Sequence, residues 1–118
     1  MYEQVNKGQQ AEDLAAKVLL SYGFVVHAMN WRHDHCEIDI IASNKDVLHF
    51  IEVKARWGLS FGEPEEAVSK LKFKRIQRAA REYLYQHPKW QKVQYDIIAI
   101  QYNDEKFSLR FVEDIFFE

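Results

Sequence analysis

Apolar side chains recur every three or four positions between residues 11 and 22: Ala11, Leu14, Ala15, Val18, Leu19 and Tyr22. This spacing predicts a helix over 4–22, stopped by Gly23. The pattern then changes. FVVHAMNWR (24–32) is rich in β-branched and aromatic residues and predicts a strand. CEIDIIAS (36–43) and VLHFIEVKAR (47–56) predict two more strands, joined through the turn composition Asn44-Lys45-Asp46. WGLSFGEPE (57–65) holds two of the four glycines and one of the two prolines, and predicts a loop.

A helical period returns from Pro64 to about His87, with Ala67, Leu71, Ile76, Ala79, Ala80, Tyr83 and Leu84 apolar and His87-Pro88 as its stop. VQYDIIAIQY (93–102) predicts a fourth strand. KFSLRFVEDIFF (106–117) predicts a fifth, with a frayed or short helical end. The expected order is therefore α-β-β-β-α-β-β. This is an α/β fold with a mixed sheet, because a helical crossover implies at least one parallel pair.

Composition narrows the picture. A chain of 118 residues is expected to form one domain, and 47% apolar with 29% charged residues is the balance of a soluble globular protein. The net charge of −2 gives no global sign of a nucleic-acid binder, so any basic surface must be local. The single cysteine, Cys36, excludes an internal disulfide and suits a reducing compartment. The N-terminal stretch is too charged for a signal peptide, and no apolar run approaches the ~20 residues of a membrane span. A cytoplasmic protein with no membrane partner is expected.

The unusual stretch is 36–56. Glu37, Asp39, Glu52 and Lys54 lie inside strands, among Ile and Val. With strict alternation Glu37 and Asp39 share one face, Ile38 and Ile40 the other. If Asn44 pairs with Val47, Asp39 stands opposite Glu52 and Glu37 opposite Lys54, and like charges about 5 Å apart destabilise a sheet. A hard divalent cation, Mg²⁺ or Mn²⁺, would offset that repulsion, with Lys54 placed to orient a water or steady charge on a phosphate. The competing reading is a cross-strand Glu37–Lys54 salt bridge with the other two carboxylates in solvent. Glu12 sits on the edge of the first helix's buried face beside the small residues Ala11, Ala15 and Ala16, where a strand or ligand can approach.

Asp39, a dozen residues, then Glu52-x-Lys54 on this frame resembles the PD-(D/E)xK nuclease pattern. The chain more closely resembles the small bacterial YraN-like family, which is similar to archaeal Holliday-junction resolvases. The likeness includes Gly8-x-x-Ala11-Glu12-x-x-Ala15, Asn30-x-Arg32, Glu37-Ile38-Asp39-Ile40-Ile41-Ala42 and Glu52-Val53-Lys54-x-Arg56. It continues with Phe61-Gly62, Ala67-Val68, Lys72, Ala79-Ala80, Tyr83-Leu84 and Tyr95-Asp96-Ile97-Ile98. Cys36 stands where that family usually has Gly, and Gln94 where it often has Arg. The resemblance implies a restriction-endonuclease-like fold in which Asp39 and Glu52 ligate a metal, Lys54 assists the attacking water and Glu12 completes the site. It also implies DNA as partner and a homodimer.

Positive charge concentrates in residues 67–92, which hold eight Lys and Arg against the single acid Glu82. Lys72, Lys74, Arg75, Arg78 and Arg81, together with Arg56, are the candidate phosphate contacts, sequence-blind and salt-sensitive. A solvated helix face is the competing reading. His33-Asp34-His35-Cys36 is too short to close a zinc site unaided. His27 and His49 are expected to be hydrogen-bonded strand residues, and Trp57 is the tryptophan near enough to the acidic residues to stack on an unpaired base. The expectation is a metal-dependent endonuclease acting on structured or branched DNA; the alternative is a binding module that keeps the fold without turnover.

Overall fold

A computed structural model describes residues 7–58 and 68–115. Their order is α1 (Lys7–Ser21), β1 (Val25–His33), β2 (Cys36–Asn44), β3 (Val47–Trp57), α2 (Lys70–Gln86), β4 (Lys92–Asn103) and β5 (Lys106–Val112). The strands form one sheet in the order β1-β2-β3-β4-β5. Every neighbouring pair is antiparallel except β3–β4, where α2 makes the parallel crossover. The expected α/β class, element order and mixed sheet are thus present.

The two helices cover opposite faces. Ala11, Ala15 and Leu19 of α1 pack with Ile40, Ala42, Ile51, Ile98 and Ile100. Phe73, Ile76, Ala79, Ala80 and Tyr83 of α2 pack with Ile38, Ile41, Leu48, Phe50 and Ile97. The alanines of α1 recur at four-residue spacing, so a stripe with little side-chain bulk faces the sheet and the helix can approach closely. Gly23 ends α1 with φ +90, a conformation that favours glycine. In the β2–β3 turn, Lys45 takes φ +59 and Asn44 pairs with Val47, as the turn composition suggests.

The structure departs from expectation at two places. The second helix does not run from Pro64: among the described residues it starts at Lys70, where the Ser69 side chain accepts the Lys72 N–H as an N-cap. Its 17 residues span about 25 Å rather than the length the longer helix would have. The fifth strand, Lys106–Val112, gives way to irregular residues through Ile115, the frayed end expected; residues 116–117 lie outside the described residues, as does most of the 57–65 loop. Second, alternation fails in β2. Ile38 and Ile41 both belong to the α2-side core while Ile40 belongs to the α1 side, so Ile38 and Ile40 do not share a face. The break falls at Asp39, between the pairs Met29↔Ile40 and Trp31↔Ile38, where Asn30 adopts φ +53. Asparagine tolerates this left-handed conformation far better than most residues do, and it turns the strand at that point.

Candidate functional site

The break at Asp39 builds the site. The β2–β3 ladder runs from Asn44↔Val47 to Ile40↔Ile51 and stops there. Beyond it the Asp39 carboxylate, not a carbonyl, accepts the Val53 N–H at 2.8 Å. Asp39 and Glu52 therefore come together as the sequence suggests, though through a side chain that replaces a ladder bond. Burial pushes the Asp39 carboxyl up to about 7, with the neighbouring Glu52 charge as the second cause. Glu52 is itself buried.

Glu12 reaches the same point from α1. One carboxylate oxygen each from Glu12, Glu37 and Asp39 lie within 4.8 Å of one another, an oxygen-only set suited to a hard cation. Asn30 holds two of the three, donating its amide to Glu12 Oε1 at 2.8 Å and to Glu37 Oε2 at 3.0 Å. Partial burial raises the Glu12 carboxyl, and the Asn30 bond opposes that shift. Glu37 also pairs with exposed Arg32 at 2.9 Å rather than with Lys54.

The sequence-named residues separate into groups. Of the expected metal ligands Asp39, Glu52 and Glu12, Asp39 and Glu12 come together with Glu37, while Glu52 adjoins Asp39 outside that group. Lys72, assigned only to the basic stripe from sequence, makes the ion pair with Glu52. Lys54 instead lines a smaller cavity, about 190 Å³, with Arg56 and Arg110 on the next part of the sheet. A cleft of about 490 Å³ opens over Glu37, Asp39 and Glu52, and its far wall is α2 at Lys72 and Arg75. Arg75 and Leu71 also line a second depression of about 510 Å³, with Lys74, Arg78 and Arg81. The acidic cleft and the basic stripe thus share a wall.

Sequence reasoning missed Asn30 and Lys72 as parts of the site. Asn30 carried a signal: a strand asparagine between apolar neighbours is poorly suited to a regular ladder. Lys72 is legible only as a stripe cation and as a position of the family likeness, because its approach to Glu52 depends on where α2 crosses the sheet. The histidine readings are clearer. His27 Nε2 lies 2.7 Å from Ser43 Oγ, and His49 Nδ1 lies 2.6 Å from Asp96 Oδ2. His33 is near Asp34 and Glu82, while Cys36 is buried in the core, and among the described residues they join no metal-binding group. No described helix is long and apolar enough to cross a membrane.

Residues 11–100 match the family described as "Uncharacterised protein family UPF0102". The chain is similar to a UPF0102 protein of Rhodococcus opacus, 43% identical over 94 residues that cover 79% of this chain and 80% of that one. A UPF0102 protein of Flavobacterium psychrophilum is 32% identical over 117 residues, 99% of this chain and 98% of its own length. One from Clostridium perfringens is 37% identical over 112 residues, 92% of each chain.

Proposed function

The chain belongs to the UPF0102 family, and from its acidic cleft walled by a cationic helix we propose that it is a divalent-metal-dependent endonuclease acting on DNA, with structured or branched DNA as its target. The observation that carries this reading is the shared wall: Arg75 borders both the carboxylate cleft and the stripe of Lys74, Arg78 and Arg81. Clustered carboxylates repel phosphate, so a surface built only to bind DNA gains nothing from them. Beside a cationic track they acquire a use once a cation neutralises them.

Asp39, Glu12 and Glu37, with Glu52 adjoining, would hold Mg²⁺ or Mn²⁺; the metal, when bound, would supply charge at the scissile phosphate and an activated water. The chain's own groups do the remainder. Asn30 fixes the carboxylates of Glu12 and Glu37. The Val53 N–H fixes that of Asp39. Lys72 sits on Glu52, close enough to exchange a carboxylate for a phosphate oxygen, and Lys54, which opens onto the neighbouring cavity, would have to reach over from there to assist the attacking water. Arg56, Lys74, Arg75, Arg78 and Arg81 hold the backbone, and a homodimer would match the two-fold symmetry of a junction.

One observation favours the alternative, a binding module without turnover: Glu52 already has a cationic partner in Lys72. Incubation with Mg²⁺ or Mn²⁺ and labelled single-stranded, duplex, flapped and four-way-junction DNA decides between them. Cleavage of one substrate, abolished by EDTA, is the expected result; metal-independent binding without cutting would reject the enzyme.

The stripe makes a separate prediction. Replacing Arg75, Arg78 and Arg81 together with Ala should weaken binding to all DNA sequences alike. On duplex DNA it should also lower the slope of log affinity against log salt by about 0.9 for each phosphate that is no longer neutralised. A salt titration by anisotropy reads both quantities, and an unchanged slope would remove the stripe from the interface.

A further inference from the structure

The His49–Asp96 pair lies on the sheet face opposite the acidic cleft, and the proposed chemistry does not use it. Leu48 and Phe50 turn toward α2, so His49 between them faces the α1 side with Ile51. Its Nδ1 lies 2.6 Å from Asp96 Oδ2. Asp96 also accepts from Gln94 Nε2 and the Asp114 N–H, which fixes its carboxylate and through it the imidazole. The His49 side chain is only 8% exposed, yet its other nitrogen, Nε2, has no partner among the described residues. That nitrogen is not sealed in the core, because among the described residues every fully buried side-chain nitrogen and oxygen has a partner. It reaches the surface of a cavity of about 500 Å³ that His49 lines.

The cavity is apolar except at its floor and rim. Phe24 sets its edge on the imidazole, with centroids 5.0 Å apart and planes at 68°, and stacks on Phe111 at 6.3 Å. Val47 and Leu109 continue the wall. The rim sets Lys45 against Asp46 and Glu113. A purely structural tie between β3 and β4 would use the Nδ1 bond alone, and an apolar side chain could fill the space. Nor is the pair set up for nucleophilic catalysis, since no serine, threonine or cysteine is among the described residues that line the cavity.

We propose that this cavity binds a small, neutral aromatic molecule carrying a hydroxyl group, with its ring against Phe24 and Phe111 and its hydroxyl on His49 Nε2. Apolar walls around one fixed polar group, in a space of this size, are the features of a small-molecule site. A hydroxyl both donates and accepts, so it satisfies Nε2 whether or not that nitrogen carries a proton. A plain hydrocarbon would leave Nε2 unsatisfied. An anion would meet the two rim acids and lie near the Asp96 carboxylate. An ammonium at the floor would lose its hydration where the nearest carboxylate already has three donors.

The test titrates the wild type, His49→Phe and Leu109→Trp with 2-naphthol, naphthalene and 2-naphthoate, each variant first checked for an intact melting transition. Nitrogen NMR follows the histidine rings, with His49 identified by the signals that His49→Phe lacks, and the Val47 and Phe111 amides report binding in all three proteins. In the wild type, 2-naphthol should shift the His49 signals to saturation and bind about 3- to 10-fold more tightly than naphthalene, the worth of one hydrogen bond. 2-Naphthoate should bind more weakly than 2-naphthol. In His49→Phe the advantage of the hydroxyl should vanish, and in Leu109→Trp, whose larger ring fills the cavity, all binding should be lost. No saturable shift at His49, an undiminished hydroxyl preference in His49→Phe, or equal binding by Leu109→Trp overturns the site. Tighter binding of 2-naphthoate overturns the neutral ligand. A wild-type dimer that ignores 2-naphthol and becomes monomeric in Leu109→Trp would give the cavity to a second copy instead. None of these readouts uses metal or DNA, so the result stands apart from that of the cleavage assay.

Discussion

Asp39→Asn is expected to abolish any metal-dependent cleavage while making the metal-free protein more stable above pH 7. The opposed signs follow from one buried carboxylate. Its proton is held up to about pH 7, with burial and the Glu52 charge as the main causes. In an unfolded chain it would leave near the ordinary value of 3.8. The fold therefore binds that proton more tightly than the unfolded chain. The resulting stability is fully present below about pH 3.8 and is lost as pH rises through about 7. Above that, an ionised Asp39 beside Glu52 is a standing penalty.

Asparagine removes the charge and still offers an oxygen to the Val53 N–H. The ceiling set by the shift is about 4 kcal/mol, at about 1.36 kcal/mol per pH unit, and local relaxation plus the nearby Lys72 charge should reduce the realised gain to about 1–2 kcal/mol. That is roughly 5–10 °C in melting temperature. Melting curves in EDTA at pH 4.5 and pH 8 check it: the variant should match the wild type at the lower pH and exceed it at the higher. A wild type that is equally stable at both, with no gain in the variant, would mean that Asp39 is ionised without strain. The activity half predicts a loss of at least about 10³-fold, because removing a single ligand takes away both charge and geometry at the metal. Glu52→Gln should behave alike in the cleavage assay.

The second large effect lies away from the cleft. Asp96 is buried, and its carboxylate accepts three donors: His49 Nδ1 at 2.6 Å, Gln94 Nε2 at 2.9 Å and the Asp114 backbone N–H at 2.8 Å. It ties the middle of β3 to β4 and to the chain just after β5. Asp96→Ala would leave the imidazole and the Asp114 N–H without their acceptor, and should cost about 3–5 kcal/mol. That is a third or more of the stability of an ordinary domain. Asp96→Asn keeps one oxygen for Gln94 and Asp114, and His49 can turn its tautomer to accept from the new amide, so its cost should be about 1–2 kcal/mol. Urea denaturation with both variants separates charge from shape. Equal losses would show that the ionised carboxylate is what the site requires.

Much of this is legible in the residues. The three-to-four spacing of Ala11, Ala15 and Leu19, the turn composition of Asn44-Lys45-Asp46 and the glycine after α1 each act over a few residues, where local geometry leaves few alternatives. Their elements appear as expected. The apolar spacing places the start of α2 too early because it can be extended backward through Ala67, whereas the actual start is a single capping bond from Ser69. Asp39 and Glu52 come out as neighbours from sequence because hairpin register follows from turn length.

The sequence by itself determined the order of elements, the parallel crossover and the presence of four acidic and basic groups among apolar strand residues, since each depends on short-range periodicity. Only the tertiary structure decided which groups face the carboxylates. Strict alternation puts Glu37 opposite Lys54, but the left-handed Asn30 breaks it and turns Glu37 toward Glu12. The cation beside Glu52 comes from α2, 20 residues along the chain, and Asp96 meets a histidine 47 residues away. Such contacts depend on how far a helix slides over a sheet and where a strand bends, and those positions are set by packing of the whole core rather than by the residues that meet there.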